Sequence, residues 1–94
     1  MTITVELTGA ARAHAGVKTL TLHLPEGATY RDIVRELAKR FPQLVGWLIA
    51  PDGESFLSSN MLVIDGDLAT PVMVLDETPS DGAHLILMSV ITGG

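Results

Sequence analysis

Cysteine is absent from the 94 residues of this chain, and positively charged residues are few. Without cysteine, the chain contains no disulfide bond, no thiolate nucleophile and no thiolate metal site. Six basic residues stand against eleven acidic ones, which gives a net charge of −5, and only Lys18 and Lys39 are lysines. Because no basic stripe is present and the few aromatic residues are not interleaved with arginines, we predict no nucleic-acid binding and expect a partner with a basic or mixed surface.

Long apolar runs are missing as well. No run approaches the length needed to cross a bilayer, and the N-terminus lacks the charged, apolar and cleavage regions of a secretory signal. We therefore predict a cytoplasmic, soluble protein without a membrane partner. A chain of this length is large enough for one hydrophobic core without metals or disulfides, so we predict a single domain over residues 1–94.

The N-terminal third has the pattern of two strands. Ile3, Val5 and Leu7 alternate with polar residues, which predicts a half-buried strand. A loop bracketed by glycines is predicted over residues 9–16, and a second alternating strand over residues 17–24. We expect the two strands to pair as an antiparallel hairpin.

A change to helical spacing follows. Thr29 is a good N-cap, and Asp32 three residues later resembles a capping box. The apolar residues at helical spacing are Ile33, Val34, Leu37, Ala38 and Phe41. Pro42 cannot continue the helix, so we predict that it ends near Arg40 or Phe41.

The second half contains shorter apolar segments separated by turns. Residues 43–50 form either a short helix or an irregular packed segment. The other predicted elements are a turn at 51–54, a strand at 61–64, a turn at 65–67, a brief strand at 72–75, an acidic loop at 76–82 and a closing strand at 84–91. Met61, Met73 and Met88 lie at predicted strand positions, where methionine is more often core than interface.

This order of elements predicts an α+β fold. A closing strand that pairs parallel to the first strand, at the centre of a mixed sheet wrapped around one main helix, explains its apolar character on both faces and describes a β-grasp. The helix covers only one face of the sheet. The residues expected to face it are Leu85, Leu87 and Ile91, and those expected on the other face are Ile86, Met88 and Val90. The second set is either covered by the middle segment or left as an apolar patch, which usually marks a partner site.

The chain ends in Thr92-Gly93-Gly94, directly after the closing strand. Glycine reaches backbone conformations closed to other residues, so such a tail can enter a narrow channel and present an unhindered carboxylate. The alternative interpretation is a loose chain end without function.

The stretch from Asp81 to Gly94 resembles the end of the sulfur carriers of molybdopterin and thiamine synthesis, MoaD and ThiS, and of their archaeal and actinobacterial relatives, which also look like ubiquitin. The shared features are an acidic-Gly turn at Asp81-Gly82, a closing strand, and a small residue before the diglycine. The resemblance covers essentially the whole chain, although only the tail is a specific motif.

The resemblance implies a function as a sulfur carrier. In this family a ubiquitin-activating-type enzyme uses ATP to adenylate the terminal carboxylate, here that of Gly94. Sulfur then replaces one oxygen to give a thiocarboxylate, which a sulfurtransferase or synthase uses. Thr92 and Gly93 form the tail required for activation, and Ile86, Met88 and Val90 are the expected docking residues. The chain itself is expected to bind no cofactor and to be no enzyme.

Two alternatives use the same residues. The activated carboxylate of Gly94 could instead form an isopeptide bond with a lysine, as in a ubiquitin-like protein modifier. The domain could also be a non-covalent β-grasp interaction module in which the tail is incidental. Ser89 and Val90 stand where molybdopterin-type carriers often have prolines, so the pathway stays open.

Other polar groups are weaker candidates. The histidines His14, His23 and His84 lack the spacing of metal ligands, and residues 65–67 lack the remaining ligands of a calcium loop, so we predict no metal site. The acidic residues between 76 and 81 have no nucleophile nearby and are interpreted as a solvated loop.

Overall fold

The computed structural model describes residues 1–57 and 60–89. In these two ranges the chain forms a five-stranded sheet, with its helices in the connections between strands. The elements are β1 (Thr2–Thr8), α1 (Gly9–Ala15), β2 (Thr19–His23), α2 (Tyr30–Arg40), a 3-10 turn (Pro42–Leu44), β3 (Asn60–Ile64), β4 (Asp67–Ala69), α3 (Pro71–Val74) and β5 (His84–Ser89).

The closing strand β5 lies at the centre of the sheet, whose strand order is β2-β1-β5-β3-β4. It pairs parallel with β1 and antiparallel with β3, and the two outer pairs are antiparallel. A strand paired on both edges has its backbone groups satisfied along its length, so it is a rigid support for the tail. The predicted α+β, β-grasp arrangement and the parallel pairing of the first and last strands are confirmed.

One hydrophobic core lies between the sheet and α2. Its strand members alternate as predicted, because every second residue of a strand points to the same face. They come from four strands: Ile3, Val5 and Leu7 from β1, Leu22 from β2, Leu62 from β3, and Leu85 and Leu87 from β5. Helix α2 adds Tyr30, Ile33, Val34 and Leu37. Each fully buried leucine or isoleucine contributes about 1.5–3 kcal/mol relative to exposure.

Helix α2 begins at the predicted cap. The Thr29 hydroxyl accepts the Asp32 backbone N–H at 3.4 Å, and the Asp32 carboxylate accepts the Thr29 backbone N–H at 2.9 Å. Two backbone donors that the first helical turn leaves unpaired are thereby satisfied. The helix ends at Arg40, and Pro42 opens the 3-10 turn, so both predicted ends are confirmed.

The loop predicted at residues 9–16 is wrong, because residues 9–15 form α1. Four of its seven residues are alanine, the residue with the highest helix propensity, and Ala11 is buried in the core. The second bracketing glycine, Gly16, ends the helix instead of opening a loop. It has φ 80°, and its N–H donates to the Arg12 carbonyl at 2.9 Å. The paired strand β2 is shorter than predicted and begins at Thr19.

The strand predicted at 72–75 is also wrong, because Pro71–Val74 form the short helix α3. Proline is favoured in the first turn of a helix, since its missing N–H has no partner to lose there. Of the segment 43–50, the first two residues belong to the 3-10 turn and the rest is an irregular packed segment; together they place Leu44, Leu48 and Ile49 in the core.

The turn at Asp65-Gly66 has positive φ at both residues, 49° and 90°, as a two-residue hairpin turn of type I′ requires. It joins β3 to β4, which begins at Asp67. Among the described residues, no helix combines the length and the apolar character needed to cross a membrane.

Candidate functional site

The sequence places the candidate site at the end of β5. Thr92, Gly93 and Gly94, together with Val90 and Ile91, lie outside the described residues. The structure describes the strand that leads into them and the surfaces around its end. These surfaces determine how a partner can approach the tail.

On the inner face of β5, Leu85 and Leu87 are 0% and 1% exposed. Both belong to the core that α2 covers, as predicted for this set. Burial on this face, added to pairing on both edges, fixes the position of β5 up to its end. The tail therefore follows a strand that is paired on both edges and buried on one face.

On the outer face of β5, Ile86 and Met88 are partly exposed. In the β3–β5 register Val63 is opposite Ile86 and Met61 is opposite Met88. In the β3–β4 register Leu68, which is 66% exposed, is opposite Val63. These five residues share one face of three neighbouring strands and form what we call the apolar patch.

The middle segment packs into the core on the other side of the sheet, with Leu48, Ile49 and Phe56 buried there. We expected Ile86 and Met88 to be either covered by the middle segment or left as an apolar patch, and the structure shows the patch. Met61 is exposed, and Met73 is 74% exposed on α3, so the prediction that these methionines are core residues is wrong.

The other half of the outer face is polar. Thr4, Glu6 and Thr8 of β1 lie on it, and Nε2 of His84 is 3.5 Å from Oε1 of Glu6. On the edge strand, Nδ1 of His23 is 3.3 Å from the Thr2 hydroxyl. The outer face is thus divided into an apolar half on β5, β3 and β4 and a polar half on β1 and β2.

A second surface lies at the end of the sheet where β5 leads into the tail. Helix α1 contacts β5, β1 and the 3-10 turn. The ring of His14 stacks on Trp47 with 4.5 Å between ring centroids and 27° between planes, while Trp47 is 48% exposed. Together with the exposed Arg12 and Lys18, these residues form what we call the α1 corner.

The three arginines of α2 are paired with acids. Arg31 contacts Asp76 at 3.2 Å, Arg40 contacts Glu36 at 3.2 Å, and Arg35 bridges Asp32 and Glu54. The hydrogen bond from the Thr29 backbone N–H is the main cause that lowers the pKa of Asp32, and burial opposes it. The hydrogen bond to Glu54, followed by its charge, raises the pKa of Arg35. These pairs are largely exposed, so each contributes little to stability, and the position of α2 is set mainly by its buried apolar face.

Tyr30 is the buried ionisable side chain of this helix. Burial raises the pKa of its hydroxyl, and the charges of Asp65 and Glu77 add to the effect, so it remains neutral. In the part of the chain that the structure covers, no group of three or more histidine or acidic side chains is placed to hold a metal ion.

Sequence reasoning identified Ile86 and Met88 but missed Met61, Val63, Leu68, Arg12 and Trp47. For Val63 and Leu68, the local signal in the sequence is the Asp-Gly turn at residues 65–66, because this turn places Leu68 opposite Val63. The α1 corner has no such signal, since it depends on contacts between segments distant in sequence.

Known structures share this architecture. The crystal structure of SAMP1 from Haloferax volcanii matches with a TM-score of 0.83 and 23% identity, over 100% of both chains. A putative molybdopterin converting factor subunit 1 from Pyrococcus furiosus matches with a TM-score of 0.75 and 22% identity, over 97% of this chain and 99% of that one. A chain in the Amycolatopsis orientalis BexX/CysO complex matches with a TM-score of 0.69 and 21% identity, over 98% and 99%. At these identities the matches show the fold.

Comparison with curated protein sequences gives no match. The model of the ThiS family, in contrast, matches residues 5–94, which include every buried core residue except Ile3 and also the terminal glycines. This chain therefore belongs to the ThiS family, the ubiquitin-like β-grasp sulfur carriers.

Proposed function

We propose that this chain carries sulfur as a thiocarboxylate on Gly94. The observation that carries the proposal is the match of residues 5–94 to the ThiS family, together with a buried central strand that leads directly into Thr92-Gly93-Gly94. The domain acts as a protein substrate: it supplies the tail and the surfaces that partners recognise. The chemistry belongs to those partners.

A free carboxylate is a poor electrophile, so it must first be activated. One carboxylate oxygen of Gly94 attacks the α-phosphorus of ATP, pyrophosphate leaves, and an acyl-adenylate forms. Hydrosulfide from the sulfur donor then attacks the acyl carbon, the bond to AMP breaks, and loss of the remaining proton leaves the thiocarboxylate. Because the chain has no cysteine, it offers no internal thiolate that could capture the acyl group. ATP serves the activating enzyme, and we expect both proteins in the cytoplasm.

The apolar patch is the proposed docking surface for the activating enzyme and for the sulfurtransferase or synthase. Ile86 and Met88 belong to it, and Val90 is expected to continue it by strand alternation. Met61, Val63 and Leu68 extend the patch towards β4 and away from β1. Apolar side chains at the centre of an interface, with polar residues around them, are the usual anatomy of such a contact.

Intact-mass measurement tests the proposal. The chain is incubated with an adenylating enzyme from the same organism, ATP and a sulfur donor, and pyrophosphate exchange is followed in parallel. We expect replacement of one oxygen by sulfur at Gly94. Removal of Gly94 should abolish both signals, whereas Ser80→Ala, at the other end of β5, should retain them. An unchanged mass while pyrophosphate exchange proceeds would contradict the thiocarboxylate.

Conjugation to lysine is the second candidate. A Haloferax volcanii structure with the same fold is named small archaeal modifier protein 1, which supports examining this chain for the same chemistry. In conjugation, the lysine amine attacks the activated acyl carbon and AMP leaves. Mass spectrometry of cellular lysines for Gly94-linked remnants distinguishes it from sulfur transfer. Binding that survives removal of Gly94, without either covalent product, would instead indicate a non-covalent module.

A further inference from the structure

The α1 corner lies beside the point where the chain leaves the sheet. In the parallel pairing of β1 and β5, Thr8 is opposite Met88. Helix α1 starts at the next residue, Gly9, and β5 leads from Ser89 into the tail. Because parallel strands end at the same edge of a sheet, α1 and the end of β5 are neighbours.

The corner is basic in a protein that is acidic overall. Residues 9–18 include Arg12, His14 and Lys18 and no acidic residue. Arg31, Arg35 and Arg40 of α2 all pair with carboxylates, whereas the ion pairs of the described residues involve none of Arg12, Lys18 and Lys39, of which the first two belong to the corner. An exposed cation that no acid in its own chain neutralises is available to an acid on a partner.

The corner also presents a held aromatic side chain. Trp47 is the single tryptophan, it is nearly half exposed, and the stacked ring of His14 restricts its orientation. Tryptophan and arginine are enriched among the residues that dominate interface energies, and an ordered side chain loses little entropy on binding.

The length of the tail brings a partner to this corner. Residues 90–94 span at most about 17 Å when fully extended, at about 3.4 Å per residue. An enzyme that holds Gly94 in its active site therefore has its channel entrance close to the end of β5.

We propose that the α1 corner is a second contact surface for the adenylating enzyme, in which Arg12 and Lys18 meet an acidic rim at the channel entrance and Trp47 is covered. The inference rests on the proposed function, since it requires an enzyme that takes up the tail. It assigns the corner a part in recognition separate from that of the apolar patch. Electrostatic attraction at the rim orients the carrier, and burial of Trp47 in the interface stabilises the complex.

Charge reversal in matched positions tests the electrostatic part. Arg12 and Lys39 are both exposed and both lie in the last turn of a helix, so Arg12→Glu and Lys39→Glu change net charge and helix-end electrostatics alike. In pyrophosphate exchange at low salt, Arg12→Glu should raise the KM for the carrier about tenfold and leave kcat unchanged. At high salt the difference in KM between this variant and the parent chain should be smaller, because salt screens the charges. Lys39→Glu should stay within about twofold of the parent. Equal KM values for the two variants would overturn the assignment.

Fluorine NMR tests the aromatic part without a destabilising substitution. The chain is labelled with 5-fluorotryptophan, which gives one resonance from Trp47, and unlabelled adenylating enzyme is added with ATP. We expect the resonance to shift on binding and Trp47→Ala to raise KM about tenfold or more. An unmoved resonance at saturating enzyme, with normal pyrophosphate exchange, would reject the contact while the proposed function stands. No exchange with the parent chain at all would reject the proposed function, and the contact with it.

Discussion

The two faces of β5 place neighbouring residues in opposite environments. Leu85 and Leu87 are buried in the core, whereas Ile86 and Met88 are partly exposed in the apolar patch. One residue separates the two environments, because successive side chains of a strand point to opposite faces. The same strand thus packs into the core through one face and presents the proposed docking surface through the other.

This division explains why a strand without polar alternation is stable at the centre of the sheet. The inner leucines are covered by α2, which supplies a continuous apolar side. The outer residues contact one another across β3 and β5 and stay open to a partner. Stability and recognition should therefore respond separately to substitutions one residue apart.

The largest expected effect is on stability, from Leu87→Ala. Truncation of a buried leucine leaves a cavity and should lower the free energy of unfolding by about 2–5 kcal/mol. Met88→Ala removes a side chain of similar size from the outer face and should cost clearly less, since part of it already contacts water. Urea denaturation of both variants measures the difference. Equal losses would mean that the two faces of β5 are energetically alike.

The next effect is on recognition, from Ile86→Thr. Threonine keeps the branched β-carbon that suits a strand but removes apolar surface from the patch. We expect the KM for the adenylating enzyme to rise about tenfold, with a smaller loss of stability than in Leu87→Ala. Thr4→Ser, which removes one methyl from the polar half of the same face, should leave KM unchanged. An equal rise in both variants would argue against a patch confined to β5, β3 and β4.

Local patterns in the sequence predicted the two faces of β5 and the α2 cap. The alternation at 85–88 determines which residues are buried, and the Thr29–Asp32 spacing determines where the helix begins. Both depend on residues a few positions apart. The central position of β5 was also predicted, because apolar residues on both faces are typical of a strand in the interior of a sheet.

What the sequence did not predict depends on contacts between distant segments. Residues 9–16 have glycines at both ends, which is typical of a loop, but the burial of Ala11 against the core favours a helix. The stacking of His14 on Trp47 joins segments 33 residues apart by number, and no local pattern encodes it. The net charge of −5 predicted a partner with a basic or mixed surface, which stays a prediction; a sum over the chain does not show that residues 9–18 are locally basic.

A smaller effect on stability is expected from Thr29→Ala, which acts on the helix that covers the inner face. Loss of the cap leaves backbone donors of the first turn of α2 without a partner and should cost about 1 kcal/mol. Thr29→Ser keeps the hydroxyl and should restore most of the loss. Because the change lies on the inner side, the KM for the adenylating enzyme should not move. A raised KM would mean that the inner side of the sheet also affects recognition.

The smallest effect concerns pH, through Asp32 of the same cap. Its pKa is lowered in the folded state, chiefly by the Thr29 backbone N–H, so folding favours the carboxylate over the carboxylic acid. The resulting stabilisation is complete above the unfolded pKa of about 3.9 and is lost as pH falls through the lower, folded-state pKa. Urea denaturation at a series of pH values gives the free energy of unfolding as a function of pH. Asp32→Asn should reduce the fall of this free energy at acid pH, which we call the acid limb. The binding contributions of Ile86 and Met88, which carry no titrating group, should not depend on this titration. An acid limb that Asp32→Asn leaves unchanged would show that other carboxylates govern it.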